Sequence, residues 1–345
     1  MYKNILVFIT AFGISYFFTP IAIKIAHKVG AIDVPKDNRR VHKTPIPRLG
    51  GISIFLGFLA SLIYIDAITP KITGILIGAL IIVGIGIIDD IKEINAKVKL
   101  LGQICAALVV IFSGIRISWI TNPFVAGNGL ITLGILSVPF TIIWIVGATN
   151  TVNLIDGLDG LAAGISAISS TTLAFIAYVN GQQTSAILLM ALAGGAIGFL
   201  PYNFNPAKIF MGDTGSLFLG YMISVIAIEG VIKSAAALAV ALPVIALGLP
   251  IFDTAFAIIR RLANGKPIMQ ADKGHLHHRL LSKGLSQKQT VLVLYGISLF
   301  LGLSAVILRE ADMFLSALVL SLNIALMYYG ITKLKLLSVD DNKIK

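Results

Sequence analysis

Eleven apolar runs, most of them close to twenty residues long, follow one another along this chain and constrain it more than any other feature. They fall near residues 5–25, 49–69, 72–88, 99–117, 133–149, 161–179, 185–200, 215–232, 235–259, 290–308 and 312–332. About 20 apolar residues in a helix cross the ~30 Å hydrocarbon core of a bilayer, and a backbone in lipid must satisfy its own polar groups. Only 12% of the residues are charged, against about 25% in a soluble globular domain. The expected fold is therefore all-α: a polytopic membrane protein of about 11 transmembrane helices. No stretch between the runs is long enough for a soluble module, so residues 1–345 read as one membrane-embedded domain. The run 5–25 is long for a leader peptide, lacks a small-residue cleavage site and precedes many further spans; it reads as the first transmembrane helix.

Lysine and arginine set the expected orientation. Alternate loops hold 22 of the 27 basic residues, and the basic side faces the cytoplasm. The N-terminus is then outside and the C-terminus cytoplasmic. Loops 26–48, 89–98, 150–160, 201–214 and 260–289 share the cytoplasmic side. The net charge of +11 follows from this bias together with attraction to anionic lipid or substrate. It does not suggest nucleic-acid binding, because the basic residues are scattered over membrane-proximal loops. Cys105, the only cysteine, gives neither a disulfide nor a zinc pattern.

The chemistry gathers in those same loops. Asn153, Asp156 and Asp159 recur every three residues in Asn153-Leu-Ile-Asp-Gly-Leu-Asp-Gly160. On a helix that spacing aligns an amide and two carboxylates along one face. Asp89-Asp90 closes the third run; adjacent carboxylates repel unless a cation lies between them, and such a pair suits Mg²⁺ or proton acceptance. Phe210-Met-Gly-Asp213-Thr-Gly-Ser216 opens the eighth run, where a helix N-terminus favours phosphate. His275, His277, His278 and Arg279 form a basic tetrad with two open roles, phosphate contact or metal ligation; phosphate is favoured because no cysteine or suitably spaced glutamate accompanies them. Arg48, in Pro47-Arg-Leu-Gly-Gly51, is suited to bidentate phosphate binding. Asp253 is the one clearly intramembrane carboxylate, expected to pair with a basic side chain and shape the site. Each motif taken alone also has a plainer reading: a solvated cap paired with Lys92 for Asp89-Asp90, a polar helix start for 153–159, a simple cap for Asp213, solvated basic loops for the rest.

In this order the motifs resemble the polyprenyl-phosphate N-acetylhexosamine-1-phosphate transferase superfamily (glycosyltransferase family 4) from about residue 30 to 290. The Pro-Arg-Leu-Gly-Gly loop and the His-Leu-His-His form are similar to its WecA/TagO-like branch, which is related to the muramoyl-pentapeptide transferases. The resemblance implies Mg²⁺-dependent transfer of N-acetylglucosamine 1-phosphate from UDP-GlcNAc to undecaprenyl or another polyprenyl phosphate, with release of UMP, at the start of a cell-envelope polysaccharide. It implies Mg²⁺, or Mn²⁺ in its place, on Asp213 with Asn153 as second ligand. Asp89 and Asp90 would lie by the lipid phosphate, one of them as its base. Asp156 and Asp159 would line the nucleotide and metal pocket; Arg48, His275, His277, His278 and Arg279 would hold phosphate or sugar oxygens; Phe210 would pack on uracil.

Two alternatives stay open at this stage: the same chemistry with another UDP-N-acetylhexosamine or UDP-MurNAc-pentapeptide, and a transporter of a nucleotide-linked or phosphorylated solute. The expected partners are the UDP-sugar, the polyprenyl phosphate and the bilayer, with a homodimer as the one protein assembly entertained.

Overall fold

A computed structural model describes residues 2–35, 44–121, 129–232, 240–265 and 274–334. Arg39, Arg40 and His42 of the first basic loop, the stretch before Gly274 and the basic tail after residue 334 lie outside the described residues. The chain is an all-α polytopic membrane protein. Its helices are α1 (Tyr2–Val29), α2 (Gly51–Ser61), α3 (Pro70–Lys92), α4 (Ala96–Phe112), α5 (Ser137–Ile155), α6 (Leu161–Val179), α7 (Gln183–Asn203), α8 (Gly212–Ala227), α9 (Ala241–Ala246), α10 (Gly248–Ala263), α11 (Leu276–Ser282), α12 (Gln287–Leu308) and α13 (Met313–Lys333). Two short antiparallel pairs, Ile32–Asp33 with Ile46–Pro47 and Trp119–Thr121 with Leu130–Thr132, are the strands among the described residues.

Eight helices among the described residues are long and apolar enough to cross a membrane: α1, α3, α5 with the turn from Gly134, α6, α7, α8 with its π-helical continuation to Ile232, α12 and α13. The other three apolar runs form shorter pieces. α2 has 11 residues before a 3-10 turn, α4 has 17, and the ninth run breaks at Leu247 into α9 and α10. The starts follow local chemistry. Thr69 caps α3 with Pro70 at its first position, and Ser286 with Gln289 forms a capping box on α12, in each case satisfying N–H groups that a helix start leaves without partners.

α8 is the axis of the bundle. Every residue from Thr214 to Ala227 is buried among α2, α3, α5, α6 and α7. α13 lies at the rim, burying only Val319 and Asn323. Lipid supplies no hydrophobic drive between helices, so close backbone approach through small residues matters more than in water. α7 crosses α1 at Gly194 and Gly198, where an added Cβ would stand 2.4 Å from the Phe8 carbonyl and 2.3 Å from the Phe12 carbonyl. Gly51 and Gly86 likewise bring α2 and α3 onto Thr214 and Gly215 at the head of α8. The ends of α3 and α5 and the beginnings of α6 and α8 thereby meet at one end of the bundle, which is where the polar motifs are.

Candidate active site

The head of α8 is held by a carboxylate from another helix. Asp90, 2% exposed, accepts the backbone N–H of Asp213 on Oδ1 (2.9 Å), and on Oδ2 the N–H (3.0 Å) and hydroxyl (2.6 Å) of Thr214. A helix start leaves N–H groups that want such an acceptor. Gly212 makes the approach feasible: it has φ +67°, and a Cβ there would stand 2.3 Å from Asp90 Oδ2. With three donors on its carboxylate Asp90 aims Asp213, and it also lines the cavity beside the cluster.

Asp89 faces differently. Its Oδ1 accepts the Ile94 N–H (2.8 Å) and its Oδ2 the Lys99 ammonium (2.8 Å), which also reaches Asp213 Oδ2 (2.7 Å). The plainer pairing with Lys92 is replaced by one with Lys99. A ligand oxygen from each of Asp89, Asp90 and Asp213 lies within 4.8 Å of the others. Asn153, in the last turn of α5, donates from Nδ2 to Asp213 Oδ1 (3.1 Å) and Ser216 Oγ (2.8 Å). Among the described residues no donor reaches its Oδ1, which leaves that oxygen to a cation. Oxygen donors of this kind suit Mg²⁺, so the residues fit the ion that the motifs imply.

Beside this cluster is a cavity of about 360 Å³ whose lining includes Arg48, Asn153, Asp156, Asp159, Phe210, Asp213 and His278. The two loop carboxylates have diverged. Asp159 Oδ2 accepts from Asn205 Nδ2 (2.9 Å) and the Ala207 N–H (3.0 Å), tying the α5–α6 turn to the α7–α8 loop. No donor among the described residues reaches the Asp156 carboxylate. Burial, then the charges of Asp213, Asp90 and Asp159, push its pKa up to about 8. A carboxylate in that setting is stabilised by a bound cation. Arg48 donates from Nε to the Asp90 carbonyl (3.0 Å) and lies 3.7 Å from Glu93. Its loop is fastened by the Phe210 N–H to Pro47 and the Gly50 N–H to Phe210.

The histidine tetrad is only partly at the cavity. His278 lines it. His277, 2% exposed, lies under Gly157, where a Cβ would meet its Nε2 at 2.6 Å. Burial first, then His278, lowers its pKa to about 3, so it is a neutral packing group rather than a phosphate cation. His275 turns to Asp253 (Nδ1 to Oδ2, 2.9 Å), confirming a basic partner for that carboxylate. Arg279 also departs from expectation: it donates to the carbonyls of Gly274 (3.0 Å) and Leu334 (3.2 Å) and fastens α11 to the end of α13. The geometry of a short helix explains this, since its successive side chains point about 100° apart and cannot all face one ligand.

Four groups were missed in the sequence. Lys99 had been counted as one more loop cation. Asp33 and Gln287 line the cavity from segments without a motif. Asn203 accepts the Gly160 N–H (3.1 Å) and donates to the Ile209 carbonyl (3.0 Å), a pairing with no sequence signal beyond a polar residue ending an apolar run.

Known proteins resemble this chain over most of its length. The family model "Glycosyl transferase family 4" matches residues 72–231. The chain is 44% identical over 95% of its length, and 91% of the relative's, to the "Probable undecaprenyl-phosphate N-acetylglucosaminyl 1-phosphate transferase" of Bacillus subtilis (strain 168). It is 36% identical to the "Decaprenyl-phosphate N-acetylglucosaminephosphotransferase" of Mycobacterium tuberculosis (strain ATCC 25618 / H37Rv), over 89% of this chain and 83% of that one. It is 27% identical to the "Undecaprenyl-phosphate alpha-N-acetylglucosaminyl 1-phosphate transferase" of Escherichia coli (strain K12), over 83% and 78%.

Proposed function

The chain belongs to glycosyl transferase family 4, and on that premise we propose that it transfers N-acetylglucosamine 1-phosphate from UDP-GlcNAc to undecaprenyl or a similar polyprenyl phosphate, releasing UMP. The observation that carries this reading is the head of α8, where Asp89, Asp90 and Asp213 converge within 4.8 Å on the edge of a cavity with acidic, basic and aromatic walls. Both reactants are phosphate anions, so placement and charge neutralisation dominate the barrier. Mg²⁺, held by Asp213 with Asn153 beside it, supplies neutralisation of the donor's diphosphate when bound.

The residues divide the remaining work. Asp90 fixes the position of Asp213. Lys99 adds positive charge between Asp89 and Asp213, and Arg48 adds it beside the Asp90 carbonyl. Phe210 offers a flat apolar surface for the uracil, and His278 a donor for phosphate or sugar oxygens. The proton of the lipid phosphate is assigned to the Asp89–Asp90 pair, of which Asp89 carries the Lys99 ammonium and Asp90 lines the cavity; the anion then attacks the β-phosphorus of the donor as UMP leaves. The apolar outer surface of the bundle suits the polyprenyl chain. The basic loops favour a cytoplasmic position for the site and an inner-membrane location. Polar groups collected at one end also favour an enzyme over a transporter, which would place ionisable residues near the midplane.

Purified protein supplied with UDP-GlcNAc, undecaprenyl phosphate and Mg²⁺ releases UMP on this reading, and EDTA stops the release. Asp213→Asn lowers kcat by at least on the order of 10²-fold. UMP release undiminished in that variant would remove the metal role assigned to Asp213.

A further inference from the structure

Asp253 is a carboxylate without a place in the chemistry above. It sits on α10, 7% exposed, in the wall of a mostly apolar cavity of about 310 Å³ formed with Phe252, Phe256, Leu276 and Leu280 and residues of α12 and α13. An unpaired charge there would be strongly destabilising. Both of its oxygens are used, and both reach the first residues of the histidine segment: Oδ2 meets His275 Nδ1 at 2.9 Å, and Oδ1 accepts the Leu276 N–H at 2.8 Å.

We propose that Asp253 is a positioning residue which, acting through His275, docks α11 on α10 and so aims His278 into the substrate cavity. The inference rests on the reaction proposed above. His275 is the N-cap of α11 and makes no side-chain cap of its own. The carboxylate of a different helix supplies that function and simultaneously fixes the imidazole. The hydrogen bond holds His275 with Nδ1–H toward the carboxylate, as an outer partner orients a working histidine in other sites. From there the coupling is by contact. The rings of His275 and His277 are nearly parallel, 8° apart with centroids at 5.8 Å, and His277 lies 4.3 Å from His278. His277 also supports Gly157, next to Asp156. Gly274 packs closely against α10, since a Cβ there would come within 2.3 Å of the Arg260 guanidinium. With the carboxylate removed, α11 loses its cap and its lateral anchor together, and His278 and the 156–160 turn lose their backing.

The test uses the full chain in lipid nanodiscs, with Asp253→Asn, Asp253→Glu, His275→Ala and the Asp253→Asn/His275→Ala double variant. UMP release is measured with UDP-GlcNAc, undecaprenyl phosphate and Mg²⁺. Side-chain ¹⁵N resonances of labelled histidines are recorded on the same samples. The expected result is a fall in kcat on the order of 10²-fold in Asp253→Asn and in His275→Ala, with half-saturating Mg²⁺ unchanged. The double variant falls no further than the worse single, because the two residues act as one unit. Asp253→Glu, which keeps the carboxylate and guards against a folding failure, recovers activity over Asp253→Asn. The resonances of His275 and His278 move together in Asp253→Asn. Losses that multiply in the double variant, or a His278 resonance that ignores Asp253→Asn, would overturn the proposal. Wild-type protein that releases no UMP would instead count against the reaction itself, and the resonances would still decide whether Asp253 positions His278.

Discussion

Asp89 and Asp90 are sequence neighbours, yet one faces a lysine and the other a helix start. The same divergence separates Asp156, whose carboxylate no protein donor among the described residues reaches, from Asp159, which is tied to Asn205 and Ala207. The motif spacing announced an acidic site but assigned the four carboxylates no distinct tasks. Asp90 and Asp159 take their tasks from partners 46 to 124 positions away, and Asp89 from a lysine ten positions on, none of which the motifs mark. The difference is measurable: Asp156→Asn raises the Mg²⁺ concentration for half-maximal UMP release, whereas Asp159→Asn leaves it near wild type and lowers thermal stability by loosening the 205–207 loop. Equal Mg²⁺ shifts in both would contradict these roles. Lys99 gives a prediction of opposite sign. It shares its ammonium between Asp89 and Asp213, so Lys99→Met takes a positive charge away from the cation site. Half-saturating Mg²⁺ then falls while kcat also falls, as Asp89 loses its link to the site. A variant needing more Mg²⁺ than wild type would argue against that placement.

Among the elements, long apolar runs translated directly into helices, because twenty residues without charge have few alternatives in lipid. Breaks and small-residue crossings were harder to read. Pro243 and Pro250 sit in the ninth run, but the sequence does not say that the chain turns at Leu247 or that the second piece carries a buried Asp253 to His275. The α1–α7 crossing was equally hidden, since Gly194 and Gly198 look like ordinary membrane glycines until Phe8 and Phe12 are seen against them. Gly198→Val would drive side-chain atoms into the Phe12 carbonyl, and overpacking of this kind costs about 1–3 kcal/mol. A lowered melting temperature in nanodiscs is expected, together with lost activity only where unfolding begins. An unchanged melting temperature would show that α1 can move aside. The short α11 teaches the complementary lesson: four basic residues within five positions looked like one phosphate grip, and helical geometry sends only His278 to the cavity.

At the scale of the whole molecule, one design accounts for the burial of α8, the glycine contacts at its head and the gathering of the acidic motifs at one bundle end. An apolar shell presents a surface to a lipid acceptor, while in the proposed reaction the polar end takes a water-soluble nucleotide sugar. The fold class and the family were legible because composition and ordered motifs are one-dimensional properties. The path of the acceptor and the contacts that choose the sugar are three-dimensional, and no short motif records them. Transfer of a sugar together with its phosphate is the central claim, and the nucleotide released reports on it. Inverted membrane vesicles containing the protein and undecaprenyl phosphate, given UDP-GlcNAc from outside with Mg²⁺, should release one UMP for each N-acetylglucosamine 1-phosphate that appears on lipid. Release of UDP in place of UMP, or product only when the opposite membrane face meets the donor, would contradict the account.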